Sequence, residues 1–343
     1  MEIFFLIFSL VLILICAEFF TNGIEILGNK LSLSQAVVGS VLAAVGTALP
    51  ETIIPLVAIL LYKGETGSHI GVGAILGAPF MLSTAGFFLI GLGVVISYIL
   101  KRRNKFEVWL EPATFKRDFS FFLLSYSLAI FFPLIFPNTR FLHYCIAIFL
   151  LINYILYLFS TFKAESIKIE NTETLHFIKV MNIFSLKINK KSFIIFLASF
   201  QVILAVIFMI KGAHIFVENL EIISLRHGMD PLLFALLIAP LATELPEKFN
   251  SFLWTLRGKD VLAFGNMTGA MVFQSTFPVS VGLLFTSWEI KGLALVSALI
   301  AMFLGIFYLF FLQILKKIPP FLLFASGICY ILYVILVISQ FKG

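Results

Sequence analysis

Two glutamates, Glu51 and Glu247, occupy the positions in this sequence that most strongly suggest chemistry, because each lies about halfway along an apolar segment. An ionisable side chain inside a membrane is costly unless it is paired or hydrated, and is a functional candidate by default. Paired carboxylates near the middle of a membrane would suit a hard cation, which prefers oxygen ligands, and would also suit proton exchange. The alternative is that both glutamates lie at helix ends, in loops.

The two glutamates end matching motifs, Thr47-Ala48-Leu49-Pro50-Glu51 and Thr243-Glu244-Leu245-Pro246-Glu247, which are offset by 196 residues. Proline removes a helical hydrogen bond and so frees a main-chain carbonyl oxygen beside each carboxylate. In a continuous helix, each threonine lies on the same face as the glutamate four residues later. A single proline in a span is more often only a kink, but the repeated context favours a cation-binding site.

The composition requires a membrane protein around these motifs. Of 343 residues, 61% are hydrophobic and 12% are charged, and the mean hydropathy is +1.08, which excludes a soluble domain. The three cysteines lie singly in apolar runs and predict neither a disulfide framework nor a zinc site. A span needs about 20 apolar residues, so the chain has room for about ten. The predicted spans are 3–28, 34–62, 68–98, 119–137, 142–161, 193–222, 230–256, 261–286, 291–315 and 319–340.

A polar linker divides these spans into two equal groups. We expect residues 1–161 to form a first five-helix repeat, residues 162–192 a cytoplasmic linker loop, and residues 193–343 a second five-helix repeat. An odd number of spans in each repeat inverts the second copy, as in many secondary transporters. Lysine and arginine are concentrated in alternate loops, which places both termini on the extracytoplasmic side.

The sequence resembles the Ca²⁺:cation antiporters, the sodium/calcium exchanger superfamily, in their compact prokaryotic type. Its two Thr-x-Leu-Pro-Glu motifs look like the G-T-S-L-P-E signatures of that family, and residues 265–269 look like its G-N-x-x-G-S-N element. The resemblance covers essentially the whole chain. It implies an all-α polytopic membrane protein with cation sites between spans 2, 3, 7 and 8. The ligands that it implies are the side chains of Thr47, Glu51, Thr243 and Glu247, with main-chain carbonyls near Ala44 and Pro240.

Several positions depart from the family pattern. Serines of that pattern are replaced by Ala48, Glu244, Ala78 and Ala270. Leu82 and Gln274 stand where the family has asparagine or aspartate, so span 3 loses its side-chain ligands, whereas Gln274 still offers a neutral carbonyl oxygen. Glu244 adds a carboxylate with two possible roles, a further ion ligand or the i,i+4 partner of Lys248.

These observations predict a secondary active cation antiporter, not an enzyme, that exchanges Ca²⁺ for Na⁺ through a midplane carboxylate site. We expect its partners to be inorganic cations and the lipid bilayer, with no nucleic acid, in an inner or plasma membrane. No cofactor is expected beside the transported Ca²⁺ and Na⁺, or H⁺. Two alternatives stay open at this point: a proton-coupled exporter of another cation, which the loss of the span-3 ligands favours, and a non-transporting membrane scaffold or sensor.

Overall fold

The computed structural model describes residues 1–31, 48–62, 64–137, 139–164, 175–177 and 191–341. This part of the chain contains helices and connecting segments but no strand, so the predicted all-α class is confirmed. The α-helices, numbered in chain order, are α1 (Glu2–Lys30), α2 (Leu49–Leu61), α3 (Glu65–Met81), α4 (Phe87–Ile99), α5 (Pro112–Ile135), α6 (Arg140–Ala164), α7 (Lys191–Arg226), α8 (Pro231–Thr243), α9 (Leu245–Leu256), α10 (Asp260–Gln274), α11 (Phe277–Phe285), α12 (Gly292–Leu315) and α13 (Pro320–Phe341).

Eight stretches of this helical chain are long and apolar enough to cross a membrane. They correspond to every predicted span except the second and the seventh, which instead contain the shorter apolar helices Leu49–Leu61 and Pro231–Leu241. Each predicted span therefore holds at least one described helix, although residues 34–47 of the second span lie outside the described residues. The two spans that carry the glutamate motifs are the two whose described helices are too short to cross a membrane by themselves.

The seventh span is two helices rather than the single helix that we predicted over 230–256. Helix α8 ends at Thr243, and α9 begins at Leu245. Glu244 between them has φ −92° and ψ 9°, in the bridge region next to the helical one. Pro246 lies in the first turn of α9, where its missing N–H needs no helical partner. Pro50 has the same place in α2, so these prolines mark helix starts rather than kinks.

Spans 3 and 8 are interrupted as well. A π-helical turn, Leu82–Gly86, separates α3 from α4, and a two-residue break separates α10 from α11. Side-chain hydroxyls satisfy nearby carbonyl oxygens at both places: Ser83 donates to Phe80 at 3.1 Å, and Thr276 donates to Val272 at 2.9 Å. Irregular backbone is tolerated at membrane depth where it is enclosed by protein or lines a cavity.

Helices α3 and α8 approach each other closely through glycine. A Cβ atom added at Gly73 would lie 2.1 Å from the carbonyl oxygen of Leu232, and one added at Gly77 would lie 2.1 Å from that of Leu236. No side chain fits at such distances, and small residues are what let membrane helices pack backbone to backbone. Because α3 precedes the linker and α8 follows it, this contact joins the two halves.

Helices α1 and α7 pack along each other, and residues 175–177 of the predicted linker lie against the pair. The His176 backbone N–H donates to Asn22 Oδ1 at 3.0 Å, and the Phe177 N–H donates to Gln201 Oε1 at 3.1 Å. Gln201 Nε2 in turn donates to the Phe19 carbonyl at 2.7 Å. The buried side chain of Leu175 completes the contact, so this part of the linker is attached to both helices.

Candidate functional site

Three carboxylates from the two halves of the chain meet in the protein interior. Glu51 lies in the first turn of α2, Glu247 lies in the first turn of α9, and Glu244 lies between α8 and α9. Their side chains are 6%, 6% and 0% exposed, respectively, and each interacts electrostatically with the other two or with Lys248. A helix N-terminus favours negative charge, so the starts of α2 and α9 both suit the carboxylates that they carry.

The oxygens of this cluster are mostly without hydrogen-bond partners among the described residues. Gln274 Nε2 donates to Glu51 Oε1 at 3.2 Å and so connects α10 to α2. The unpartnered buried atoms of the cluster are Glu51 Oε2, both carboxylate oxygens of Glu244, Glu247 Oε2 and Gln274 Oε1. A buried polar atom without a partner is costly and needs an explanation. Carboxylate and amide oxygens of this kind are the ligands that a hard cation prefers.

Lys248 does not form the helical ion pair with Glu244 that the sequence allowed. Its side chain is 5% exposed, and Nζ donates to the main-chain carbonyls of Pro240 at 3.2 Å and Leu241 at 3.3 Å. Among the described residues, no carboxylate oxygen lies within 4.0 Å of this ammonium. The break at Glu244 explains the difference, because it exposes the carbonyl end of α8 to the first turn of α9.

The break also separates Thr243 from Glu247. Thr243 is the last residue of α8, and its hydroxyl donates to the Ala239 carbonyl at 3.1 Å. It shares no continuous helical face with Glu247, so that part of the prediction was wrong. The carbonyl oxygen of Pro240 already accepts from the Glu244 N–H at 3.2 Å and from Lys248. Thr47 and Ala44, the equivalent predicted ligands of the first half, lie outside the described residues.

Asn266 stabilises the backbone of the site, a role that the sequence pattern did not predict. Its Nδ2 atom donates to the Glu247 main-chain carbonyl at 3.1 Å and to Ser251 Oγ at 3.0 Å. Ser251 Oγ donates in turn to the Ala263 carbonyl at 3.2 Å. These bonds hold the first turn of α9 against α10. The signal was present in the sequence, since Asn266 is the asparagine of the glycine element at 265–269.

Span 3 supplies no side-chain ligand at the two positions that the resemblance indicates. Ala78 and Leu82 are 4% and 0% exposed, and Leu82 packs in the main hydrophobic core with Phe80 and Phe87. In the described part of the chain, no three His, Cys, Asp or Glu side chains are arranged to hold a metal ion together. A cation among these residues would therefore need amide and main-chain oxygens as well as carboxylates.

Comparison with known proteins identifies the family. The family profile described as "Sodium/calcium exchanger protein" matches residues 1–163 and 197–342. The chain belongs to this family. Its relative MJ0091, a membrane protein of Methanocaldococcus jannaschii, is 24% identical over 277 residues, which cover 81% of this chain and 80% of that protein. The chain spans only 30% of the length of another relative, CaxA of Alkalimonas amylolytica, at 29% identity over 97 residues.

Two solved structures share the fold. The H⁺/Ca²⁺ exchanger CAX has a TM-score of 0.69 at 18% identity, with 99% of this chain and 87% of that chain covered. The sodium-calcium exchanger NCX_Mj has a TM-score of 0.55 at 18% identity, with 97% of both chains covered. The family and the fold are those of polytopic membrane transporters, not of catalysts, and the architecture of inverted five-helix repeats agrees with the predicted fold class.

Proposed function

We propose that this protein is a secondary active antiporter that exchanges Ca²⁺ for Na⁺ at the cluster around Glu51 and Glu247. One observation carries the proposal: in the part of the chain that the structure describes, five buried oxygen atoms of Glu51, Glu244, Glu247 and Gln274 have no hydrogen-bond partner. Carboxylate, amide and carbonyl oxygens are the ligands that Ca²⁺ prefers. The protein fold supplies them at the breaks of membrane helices, where transporters bind their ions.

In this proposal, Glu51 and Glu247 are the charge-carrying ligands, one from each half of the chain. Glu244 and Gln274 add oxygens, and the Thr243 hydroxyl is a further ligand that the resemblance implies. The Pro240 carbonyl, which the resemblance also implies, accepts instead from the Glu244 N–H and from Lys248. Thr47 and the carbonyl near Ala44 would have the same role in the first half. Carboxylates that bind one divalent cation also bind monovalent cations in its place, so the two ions compete for the same oxygens. Exchange follows when the site opens alternately to the two sides.

A second candidate is an H⁺-coupled exporter of Ca²⁺ or of another cation. The observation that favours it is the apolar character of span 3, where Ala78 and Leu82 offer no oxygen to a coupling Na⁺. A carboxylate without a partner, such as Glu244, can hold a proton instead. CAX, an H⁺/Ca²⁺ exchanger by its title, shares the fold with this chain.

The division into repeats and the membrane orientation belong to the same proposal. Residues 1–161 and 193–343 would form the inverted halves, with the linker at 162–192 in the cytoplasm and both termini outside. The concentration of lysine and arginine in alternate loops supports this orientation in an inner or plasma membrane. Labelling of single cysteines introduced at Glu65 and Glu111, on opposite predicted sides, would test it in whole cells.

The deciding experiment is Ca²⁺ flux in proteoliposomes that contain the purified protein. An imposed Na⁺ gradient and then a pH gradient would be applied, with Glu51→Gln and Glu247→Gln as test variants. Glu289→Gln is the matched control, because that carboxylate is exposed and paired with Lys291. We expect each site variant to reduce flux at least about 100-fold, as the loss of a charged ligand should, and the control to keep it.

The driving gradient separates the candidates. Flux driven by Na⁺ supports the Na⁺/Ca²⁺ exchanger, and flux driven only by the pH gradient supports the H⁺-coupled exporter. Well-folded protein that moves Ca²⁺ under neither gradient would rule out calcium exchange and leave another cation or the non-transporting scaffold. Flux that both glutamine variants retain would place the transport path elsewhere.

A further inference from the structure

We propose that the Lys248 ammonium is a tethered cation that sets how many mobile cations the site takes, and that it makes exchange electroneutral. The inference rests on the proposed function, since it concerns the ions that bind at the same cluster. It starts from the finding that a buried lysine sits among three buried glutamates and donates to main-chain carbonyls rather than to a carboxylate.

The position of the ammonium is one that suits a bound metal cation. Nζ lies 3.2 Å from the carbonyl oxygen of Pro240 and 3.3 Å from that of Leu241, at the C-terminal end of α8. Carbonyl oxygens at the C-terminal end of a helix carry partial negative charge, and the Pro240 oxygen accepts from Lys248 in addition to the Glu244 N–H. Carbonyl oxygens in such a place also coordinate transported cations in broken membrane helices. Lys248 therefore fills a place that would otherwise be open to a mobile ion.

The charges of the two motif copies support this role. At the offset of 196 residues, Ala48 is equivalent to Glu244, and Thr52 is equivalent to Lys248. The first copy thus carries one formal negative charge, on Glu51. The second copy carries two carboxylates and one ammonium, and so has the same net charge. The additional acid and the additional base occur together, and each copy contributes one net negative charge to the cluster.

The total charge of the cluster fixes the ions that neutralise it. Three carboxylates and one ammonium carry a net charge of minus two in their ionised forms, which equals the charge of one divalent or two monovalent cations. The ammonium is covalently attached and stays in the protein when the mobile ions leave. A net charge at membrane depth is strongly disfavoured. The site should therefore change its exposure from one side of the membrane to the other when it holds either one divalent or two monovalent cations. Such a cycle moves no net charge across the membrane.

The substitutions that test this inference come from the first motif copy. Lys248→Thr removes the ammonium and leaves a cluster of three carboxylates. Glu244→Ala/Lys248→Thr converts both positions to their first-copy equivalents and returns the net charge to minus two. A lysine that served only to cap α8 would give the same defect in both variants, because both lack the cap. A tethered cation predicts that the double variant recovers what the single variant loses.

The measurement is the voltage dependence of coupled flux in proteoliposomes with a clamped potassium diffusion potential, using whichever of Na⁺ or H⁺ drives exchange. We expect voltage-independent exchange in the unmodified protein. Lys248→Thr should become voltage-dependent, with about one additional monovalent cation per divalent cation, and the double variant should again be voltage-independent. Glu289→Gln should behave as the unmodified protein.

Two results would overturn the inference while leaving the proposed function intact: voltage-dependent exchange by the unmodified protein, or Lys248→Thr exchange that stays voltage-independent. Voltage-dependent exchange by the unmodified protein would overturn the inference even if the Lys248→Thr variant does not fold. Absence of flux from the unmodified protein under every gradient would instead contradict the proposed function itself.

Discussion

The two copies of the Leu-Pro-Glu motif start their helices in the same way but treat the preceding carbonyls differently. In the first copy, Thr52 is a short side chain whose hydroxyl donates to the Ala48 carbonyl at 2.7 Å. In the second copy, Lys248 at the equivalent position reaches back to the carbonyls of Pro240 and Leu241. The two copies therefore share the same helix start, but the hydroxyl–carbonyl hydrogen bond of Thr52 in the first copy is replaced by the charged side chain of Lys248 in the second.

The copies also differ in what their neighbouring glycine elements supply. Offset by 192 residues, Gly265 is equivalent to Gly73, so Asn266 corresponds to Ala74 and Gln274 corresponds to Leu82. Ala74 and Leu82 are apolar and buried, whereas Asn266 holds the first turn of α9 and Gln274 contacts Glu51. Among the described residues, the second half thus supplies most of the polar side chains of the site. In this molecule, repeat symmetry is a good guide to the backbone but a poor guide to the ligands.

Among the substitutions that make the two glycine elements alike, we expect the largest effect at Asn266. Asn266→Ala gives the second glycine element the residue of the first and removes the donors to the Glu247 carbonyl and to Ser251. Positioning groups behind a cation ligand typically contribute about 10–100-fold to affinity, so we expect the KM for Ca²⁺ to rise within that range. Initial rates of Ca²⁺ flux against Ca²⁺ concentration measure it.

A purely structural role for Asn266 would lower the amount of folded protein instead. A thermal unfolding midpoint measured in detergent distinguishes the two cases. Asn266→Asp, which cannot donate to the Glu247 carbonyl, should resemble the alanine variant in KM. An unchanged KM in both variants would show that this contact does not position Glu247.

Gln274 gives the next largest effect. Gln274→Leu installs the residue of the equivalent first-half position and deletes both the donor to Glu51 and a buried unpartnered oxygen. We expect Ca²⁺ affinity to fall about tenfold, because one neutral oxygen ligand and one hydrogen bond to a charged ligand are lost. Equilibrium binding of radioactive Ca²⁺ to purified protein measures the change, and Gln274→Glu should retain or increase the affinity. Equal affinity for the leucine variant and the unmodified protein would exclude Gln274 as a ligand.

The smallest effect is expected where the two halves meet outside the membrane. Lys317 Nζ donates to Glu107 Oε1 at 3.0 Å, and this hydrogen bond lowers the pKa of the Glu107 carboxyl. A lowered pKa in the folded protein means that the pair stabilises it at neutral pH and that this stabilisation is lost as the pH falls through the lowered pKa. The pair is exposed, so solvent screens it and its contribution is small.

Glu107→Gln should therefore lower the thermal unfolding midpoint slightly at neutral pH and leave it unchanged in acid below the lowered pKa. Unfolding scans of both proteins over that pH range make the comparison. A variant that is destabilised equally at every pH would point to lost packing rather than to a lost charge pair.

The class of the protein, the position of most of its helices and the two motif glutamates of the site all follow from the pattern of residues along the chain. Long apolar segments indicate membrane-spanning helices directly, because few charged residues are tolerated inside a membrane. The repeated Leu-Pro-Glu motif marked both Glu51 and Glu247 for the same reason, and the glycine element marked the segment that contains Asn266. These features are local in the sequence, and they can be recognised without knowing how the helices pack.

Tertiary structure decided the break at Glu244, the carbonyl partners of Lys248 and the contact between Gln274 and Glu51. The spacing of Glu244 and Lys248 suggested an ion pair only because it assumed a continuous helix, and Pro246 at the start of α9 removes that assumption. Gln274 and Glu51 are far apart in sequence and meet because helices from the two halves pack together. Helix breaks and contacts between distant residues depend on which partners satisfy the freed polar groups, and that choice is made by the assembled fold.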